Sequence, residues 1–468
     1  MKQLVVRLFG AQYMVRPERV VGPMPATKEA YLTNFNIAWP SALEAFLVAL
    51  IASVDTIMVG TLGPEAISAV GITTQPKFLV LSAIVSLNIG VTTIVARRKG
   101  EDNRQAANRC LMQGVLLSII LALLIGAIAF VWAEPILVFA GAGSDILADS
   151  VLYFRIILVG NFFFSVSLTI NAAQRGVGNT RISMFTNLTA NGINLIFNFL
   201  LIGGHLGFPR WGVMGAAVAT ALGNIVAFVM SFYSIVHRDG FLRFRLDKLF
   251  SWDGSSVSAI FRISSGALVE QVFMRLGFLT YAKIVAGLGT IAFASHQICM
   301  NMLSISFSFG DGLSIASSAL VGQNLGARRP DLAILYGKIG QRMALAVSGL
   351  LCIIFITCRY PLVSIFNDDP LILSLSSPLM IIAGISCLAQ VSQVVFAGCL
   401  RGAGDILYVT AVSFVSIAVV RPILSWVLCY PLGLGLTGAW LGLFVDQFSR
   451  LIFTAIRFSG GRWTEIKI

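Results

Sequence analysis

A chain of 468 residues that is 57% hydrophobic and 12% charged, with a mean hydropathy of +0.86, is not an ordinary soluble domain. Such a domain would hold roughly twice that charged fraction. The net charge of +12 does not point to nucleic acid either, because the basic residues recur in alternate loops, the asymmetry that orients a polytopic membrane protein.

Residues 1–33 lack an apolar h-region and an A-x-A-like site and carry Lys2, Arg7, Arg16, Arg19 and Lys28. They read as a basic cytoplasmic tail rather than a cleaved signal peptide. Twelve apolar segments follow, at about 37–60, 66–95, 111–133, 150–174, 182–203, 212–236, 263–286, 291–321, 340–358, 371–400, 407–430 and 436–456. About 20 apolar residues suffice to cross a bilayer as a helix. One set of loops holds Arg97, Arg98, Lys99, Arg104, Arg175, Arg181, Arg328, Arg329 and Arg401. The opposite set holds acids such as Glu134, Asp145, Asp149, Asp368 and Asp369. This places both termini in the cytoplasm, with the chain integral to the cell (inner) membrane.

The first segment, IAWPSALEAFLVALIASVDTIMVGTLG (37–63), contains Pro40, Glu44 and Asp55. A carboxylate inside hydrocarbon is costly and usually serves a wet or paired site. The eleven-residue spacing of Glu44 and Asp55 is close to three whole turns, so both acids share one face. Pro40 removes a helical hydrogen bond and favours a bend. Asp55 is the sharpest coupling candidate, set against a carboxylate snorkelling at the helix end. For Glu44, a structural role and a ligand role weigh about equally. In the second segment Lys77 lies between the levels of Asp55 and Glu44 across the hairpin, within about 10 Å of each by helix rise. Its long stem can lean to either acid or to cavity water.

The fifth segment carries Asn187, Asn191, Asn194 and Asn198 at spacings of 4, 3 and 4. They form one stripe that reads as a hydrophilic cavity wall, against the alternative of interhelical hydrogen-bonding glue. In later segments Glu270 is a candidate ligand, with Gln271 and Arg275 nearby. His296 reads mainly as a packing residue, Asp446 and Arg450 as a mutually satisfied pair one turn apart, and Arg421 before Pro422 as structural. The seven cysteines show no ligand-type spacing and read as small packing residues. No G-x-S-x-G, H-E-x-x-H or P-loop occurs, so enzyme chemistry is not expected.

An internal repeat organises the whole. At an offset of 226, Glu44 falls on Glu270, Gly63 on Gly289, Arg175 on Arg401 and Gly178 on Gly404; residues 208–220 match residues from 433 at an offset of 223. The halves are a 34–240 lobe and a 263–468 lobe joined by a cytoplasmic connector at 241–262. The basic, aromatic run 237–254 suits an interfacial helix. Six spans per half give repeats of like orientation, related by a pseudo-two-fold axis along the membrane normal. The expected fold is therefore all-α and integral to the membrane, with twelve transmembrane helices in two six-helix lobes. Asp55 falls on Tyr281, so an ion site built on Asp55 belongs to the first lobe alone.

Several of these stretches resemble the multidrug and toxic compound extrusion (MATE) family. They are Pro40 and Asp55 with VDTIMVGTLG, RGVGNT (175–180), NLIFN (194–198), GVMGAAVAT (212–220), LVGQNLGARR (320–329), RGAGD (401–405) and RFSGGRW (457–463). The resemblance implies a secondary antiporter that exports organic cations and amphiphilic drugs in exchange for H+ or Na+, without any other cofactor. It also implies a first-lobe cation site at Asp55, Asn194, Asn198 and Thr220; the residues themselves offer further cavity candidates at Glu44, Lys77, Asn191, Glu270 and His296, to which the resemblance adds Gln390. Archaeal-type members hold Asp where this chain has Asn198. In another branch Glu270 is one turn from the matching Glu, and Gln390 stands where an Asp would be. A monomer is expected, whose partners are a small amphiphile and membrane lipid, with no nucleic acid. Flipping of a lipid-linked metabolite is the alternative, for which Lys77 and Arg275 are the available cations.

Overall fold

The computed structural model describes residues 9–237, 240–244, 253–366 and 369–466. Among them are twelve helices long and apolar enough to cross a bilayer. In the first half these are α1 (Thr27–Gly60), α2 (Pro64–Gly100), α3 (Arg104–Val131), α4 (Leu147–Gly176), α5 (Thr180–Gly203) and α6 (Gly212–Val236). The second half supplies α7 (Gly254–Ala286), α8 (Thr290–Gly326), α9 (Pro330–Thr357), α10 (Pro370–Ala403), α11 (Ile406–Cys429) and α12 (Gly435–Gly460). Within α11, residues Phe414–Val420 take a π-helical course.

All twelve expected spans are present, but several are longer than their apolar cores. α1 begins ten residues before the apolar run, because TKEAYLTNFN is polar yet rich in residues that tolerate a helix. α7 begins at Gly254, inside the expected connector, of which residues 245–252 lie outside the described residues. The described stretch 240–244 is not helical. Two short helices, Ala133–Phe139 and Arg359–Ser364, occupy loops in which the sequence showed no element. They too are 226 residues apart.

The duplication is written in the backbone. Left-handed φ angles recur at Gly63 and Gly289 (114° and 103°), Asp102 and Arg328 (51° and 56°), Gly178 and Gly404 (88° and 90°), and Gly212 and Gly435 (53° each). A side chain with positive φ is uncommon. That both copies pay for one at the same position ties Asp102–Asn103 and Arg328–Arg329 to the same tight turn.

The chain forms two compact units, and their boundaries run through helices. The N unit is Leu43–Ser265; the C unit is Gly266 onward together with the residues up to Ala42. These differ from the 34–240 and 263–468 halves drawn from the sequence, since hydropathy registers where a helix lies and not which neighbours it packs on. In the C unit, Ala316, Leu320, Ala333, Val391, Val395 and Ala403 build a core of small and branched side chains on α8, α9 and α10. The helices approach closely there: a Cβ on Gly402 would lie 2.3 Å from the carbonyl oxygen of Ser318. Five of the seven cysteines are buried and all are free thiols, in keeping with a packing role.

Candidate functional site

In the N unit, α1 and α5 run parallel in a fixed register. Asn198 Nδ2 donates to Asp55 Oδ1 at 2.9 Å, and Asn187 Nδ2 donates to Glu44 Oε1. Both pairs are separated by 143 residues. The eleven-residue spacing of the two acids on α1 is thus answered by the same spacing of two amides on α5.

Asp55 is half-buried in a ring of polar groups. The amide of Asn194 satisfies its neighbours when Nδ2 faces the carboxylate, donating at 2.9 and 3.1 Å, with its oxygen 3.1 Å from Thr220 Oγ1. Thr220 Oγ1 in turn donates to the carbonyl of Ala216 at 3.0 Å. Lys77 interacts electrostatically with Asp55, as does the buried Tyr153 of α4. The structure therefore brings together Asp55, Asn194, Asn198 and Thr220, within the electrostatic reach of Tyr153, which no motif had marked. Tyr153 lies on α4 near its start, and only the fold reveals its neighbourhood. Of the two acids open to Lys77, Asp55 is the one with which it interacts electrostatically.

Glu44 is buried in a different arrangement. Its Oε1 accepts from Ser183 Oγ at 3.2 Å as well as from Asn187, and Arg175 lies 3.9 Å away, itself donating to Ser183 Oγ at 3.0 Å. Asn191 donates to the Asn187 carbonyl at 2.7 Å, so the asparagine stripe divides: two amides on Asp55, one on Glu44 and one on the backbone. The C unit repeats the Glu44 arrangement. Glu270 Oε1 accepts from Arg401 at 2.5 Å and from Ser413 Oγ at 3.1 Å. Each of these three residues is 226 beyond its N-unit counterpart, and Glu270 and Ser413 are again 143 apart.

The other two C-unit candidates have separate neighbours. His296 is buried among the rings of Tyr281 and Trp440, with centroids at 5.3 and 5.7 Å. Gln390 Oε1 accepts from Ser306 at 2.9 Å. The described contacts do not join Glu270, His296 and Gln390 into one site. Asp446 pairs with Arg450 at 3.1 Å as its spacing suggested, and also with Arg421 at 2.5 Å, the cation–π partner of Phe278 and Tyr281. No group of three or more His, Cys, Asp or Glu side chains is arranged to hold a metal among the described residues.

The MatE family model matches this chain twice, over residues 40–200 and 267–427, one copy in each repeat. The chain belongs to the MatE family. It is therefore an integral membrane transporter and not an enzyme, as its residues had indicated. The probable multidrug resistance protein NorM of Thermotoga maritima is 30% identical over 431 residues, 92% of each chain. The multidrug resistance protein MdtK of Photorhabdus laumondii is 28% identical over 449 residues, covering 91% of this MATE chain and 94% of its own. Among solved structures, an outward-facing multidrug resistance MATE transporter of the MOP superfamily shares the fold with a TM-score of 0.86 at 19% identity, over 92% of this chain and 97% of that one.

Proposed function

We propose that this MATE chain is a secondary active antiporter that exports organic cations and amphiphilic drugs in exchange for protons by alternating access, with Asp55 as the coupling group. Its setting is the cytoplasmic membrane, with both termini inside the cell, where the basic loops belong. It works as a monomer. The observation that carries this reading is a half-buried carboxylate on a membrane-spanning helix, held by two amide donors beside a lysine. The names of the relatives, multidrug resistance proteins, support the substrate class.

The donor set favours the proton over sodium. Hard cations are held by several oxygen ligands, whereas Asp55 is met by N–H groups of Asn194 and Asn198 and has Asn198 in place of a second acid. As a carboxylate, Asp55 accepts both amides and balances Lys77. A proton arriving on one of its oxygens removes the charge, weakens both amide bonds and leaves Lys77 without its counter-charge. The hold of α5 on α1 loosens at that level. A carboxylate that attracts a cationic drug or a proton, one at a time, is the minimum an antiporter needs.

The test is ethidium efflux from inverted vesicles energised separately by a pH gradient and by a sodium gradient. The pH gradient should drive export and the sodium gradient should not. Asp55→Asn should lower gradient-driven export at least tenfold with the protein still in the membrane. Asn194→Ala and Asn198→Ala should cost more than Asn191→Ala, whose amide bonds backbone. Sodium-driven export, or near-normal export by Asp55→Asn, would refute the scheme.

A further inference from the structure

The segment ahead of α1 is folded onto the C unit. Ala11, Met14 and Val15 are buried in the core that also holds Ala333, Leu335 and Tyr336 of α9. Lys338 of α9 donates to the Met14 carbonyl at 2.7 Å. Further along, Asp331 is fully buried and accepts from the backbone N–H of Val21 at 3.1 Å. Arg329 bridges the two sides, bonding Asp331 at 2.8 Å and the Pro23 carbonyl at 3.0 Å. The start of α1 continues along the same unit: Asn34 donates to the Tyr336 carbonyl at 3.2 Å, and Ala42 lies so close to Gly312 of α8 that a Cβ there would be 2.4 Å from its backbone N.

The connector does the same in the N unit. Arg104 of α3 donates to the carbonyls of Gly240 and Phe241, the latter at 2.9 Å. Lys99 lies over the Phe241 ring at 4.0 Å, and the Arg243 N–H donates to Asn108 at 2.8 Å. Met14 and Gly240 are 226 residues apart, so both carbonyls that accept a basic side chain from the third helix of a repeat occupy one repeat position. The start of α7 packs on α2, where a Cβ on Gly90 would lie 3.0 Å from the Ile260 carbonyl oxygen, and Ser264 Oγ is 3.5 Å from that of Leu87. The unit boundaries, after Ala42 in α1 and after Ser265 in α7, fall at nearly the same repeat position. Glu44 and Glu270, with their arginines, follow each boundary within a turn or so as the next anchor.

We propose that residues 9–42 form a strap and strut that travels with the C unit throughout the transport cycle, as residues 240–244 and 253–265 travel with the N unit. The N-terminal segment is then the first repeat's copy of the connector and not an appended tail. Each repeat lends the opening of its first helix to the other. Motion between the units is taken up in α1 and α7 past these boundaries, not at the helix starts.

Cross-linking in native membranes tests this. Asn34→Cys with Tyr336→Cys spans the strut in the C unit, and Leu87→Cys with Ser264→Cys is the matching pair in the N unit. A short methanethiosulfonate cross-linker joins each pair, and peptide mass spectrometry identifies the product, so the seven native cysteines stay in place. The yield should be equal within twofold with and without an imposed pH gradient, and ethidium efflux after cross-linking should stay within twofold of the reduced sample. A yield that falls more than fivefold in either condition would overturn the proposal. So would a tenfold loss of efflux that reductant restores. If either pair fails to fold, the other carries the same comparison. If the unmodified protein exports no ethidium, the exporter reading fails, and the cross-link yields still decide this one.

Discussion

Replacing Arg401 by alanine should unfold this protein at a markedly lower temperature than replacing its repeat mate Arg175. The side chain of Glu270 is 2% exposed and accepts from Arg401 at 2.5 Å. Removing one member of a buried pair costs about 3–5 kcal/mol, because the remaining charge is stranded in a low dielectric. Ser413 still donates to Glu270 and Arg401 is itself partly open, so the low end, about 3 kcal/mol, applies. Arg175 contributes less to Glu44. It sits 3.9 Å away, while Ser183 and Asn187 both donate to that carboxylate directly, and its loss should cost about 1 kcal/mol. Taking about 2 °C per kcal/mol for a large chain, the midpoints should fall by about 6 °C and about 2 °C. Thermal unfolding in detergent, followed by intrinsic fluorescence, reads both. Adding Glu270→Gln to Arg401→Ala removes the stranded charge and should recover about half of the loss. Equal losses for the two arginines, or no recovery with the glutamine, would refute the reasoning.

Asp446→Ala should be harsher than either, since Arg421 and Arg450 both lean on that one buried carboxylate; loss of about 4 kcal/mol or more should show as a collapse of folded yield in size-exclusion chromatography. Gly402→Ala should cost about 1–3 kcal/mol by forcing α10 away from the Ser318 backbone, whereas Gly349→Ala on α9 meets no atom within 4 Å and should raise the midpoint slightly. Asp253, ahead of α7, accepts from the Ser255 and Ser256 hydroxyls at 2.7 and 2.8 Å, which hold its carboxyl below the usual 3.8. A depressed folded value means the cap's help is present above about pH 4 and lost as pH falls further. Asp253→Asn should therefore lower stability at neutral pH by no more than about 1 kcal/mol, read as a lower thermal midpoint, and match the parent in acid. A constant difference across that range would remove the charge from the account.

Much of the membrane plan was legible because hydropathy and charge asymmetry are local signals. The twelve spans follow from hydropathy, the repeat from a constant offset and the α5 stripe from spacing on one helix, while the grouping of Asp55 with that stripe came from the family resemblance. Arg175 and Arg401 were read as topology markers in basic loops, and the fold turns them back onto Glu44 and Glu270 over more than a hundred residues of sequence. Thr27–Asn36 was missed as helix because it is polar, and its docking on α9 depends on a neighbour three hundred residues away. Tyr153 was missed, and Arg421 was read as structural without its partner Asp446, for the same reason. A side chain's partner across helices is a tertiary fact, and neither carries a local pattern that names it.

The π-helical stretch of α11 sets how far the two repeats remain copies. Up to Ser413 the shared anchor holds, with Glu270, Arg401 and Ser413 answering Glu44, Arg175 and Asn187. The corresponding stretch of α5 stays α-helical, which keeps Asn187, Asn191, Asn194 and Asn198 in phase. In α11 the wider turns over Phe414–Val420 shift that phase, so the residues beyond point along different headings from their α5 counterparts. Arg421 emerges there, turned toward Asp446, where the first repeat presents amides to Asp55. One local change of winding thus lets an ancestral duplicate keep a shared anchor at one end of a helix and build unlike chemistry at the other.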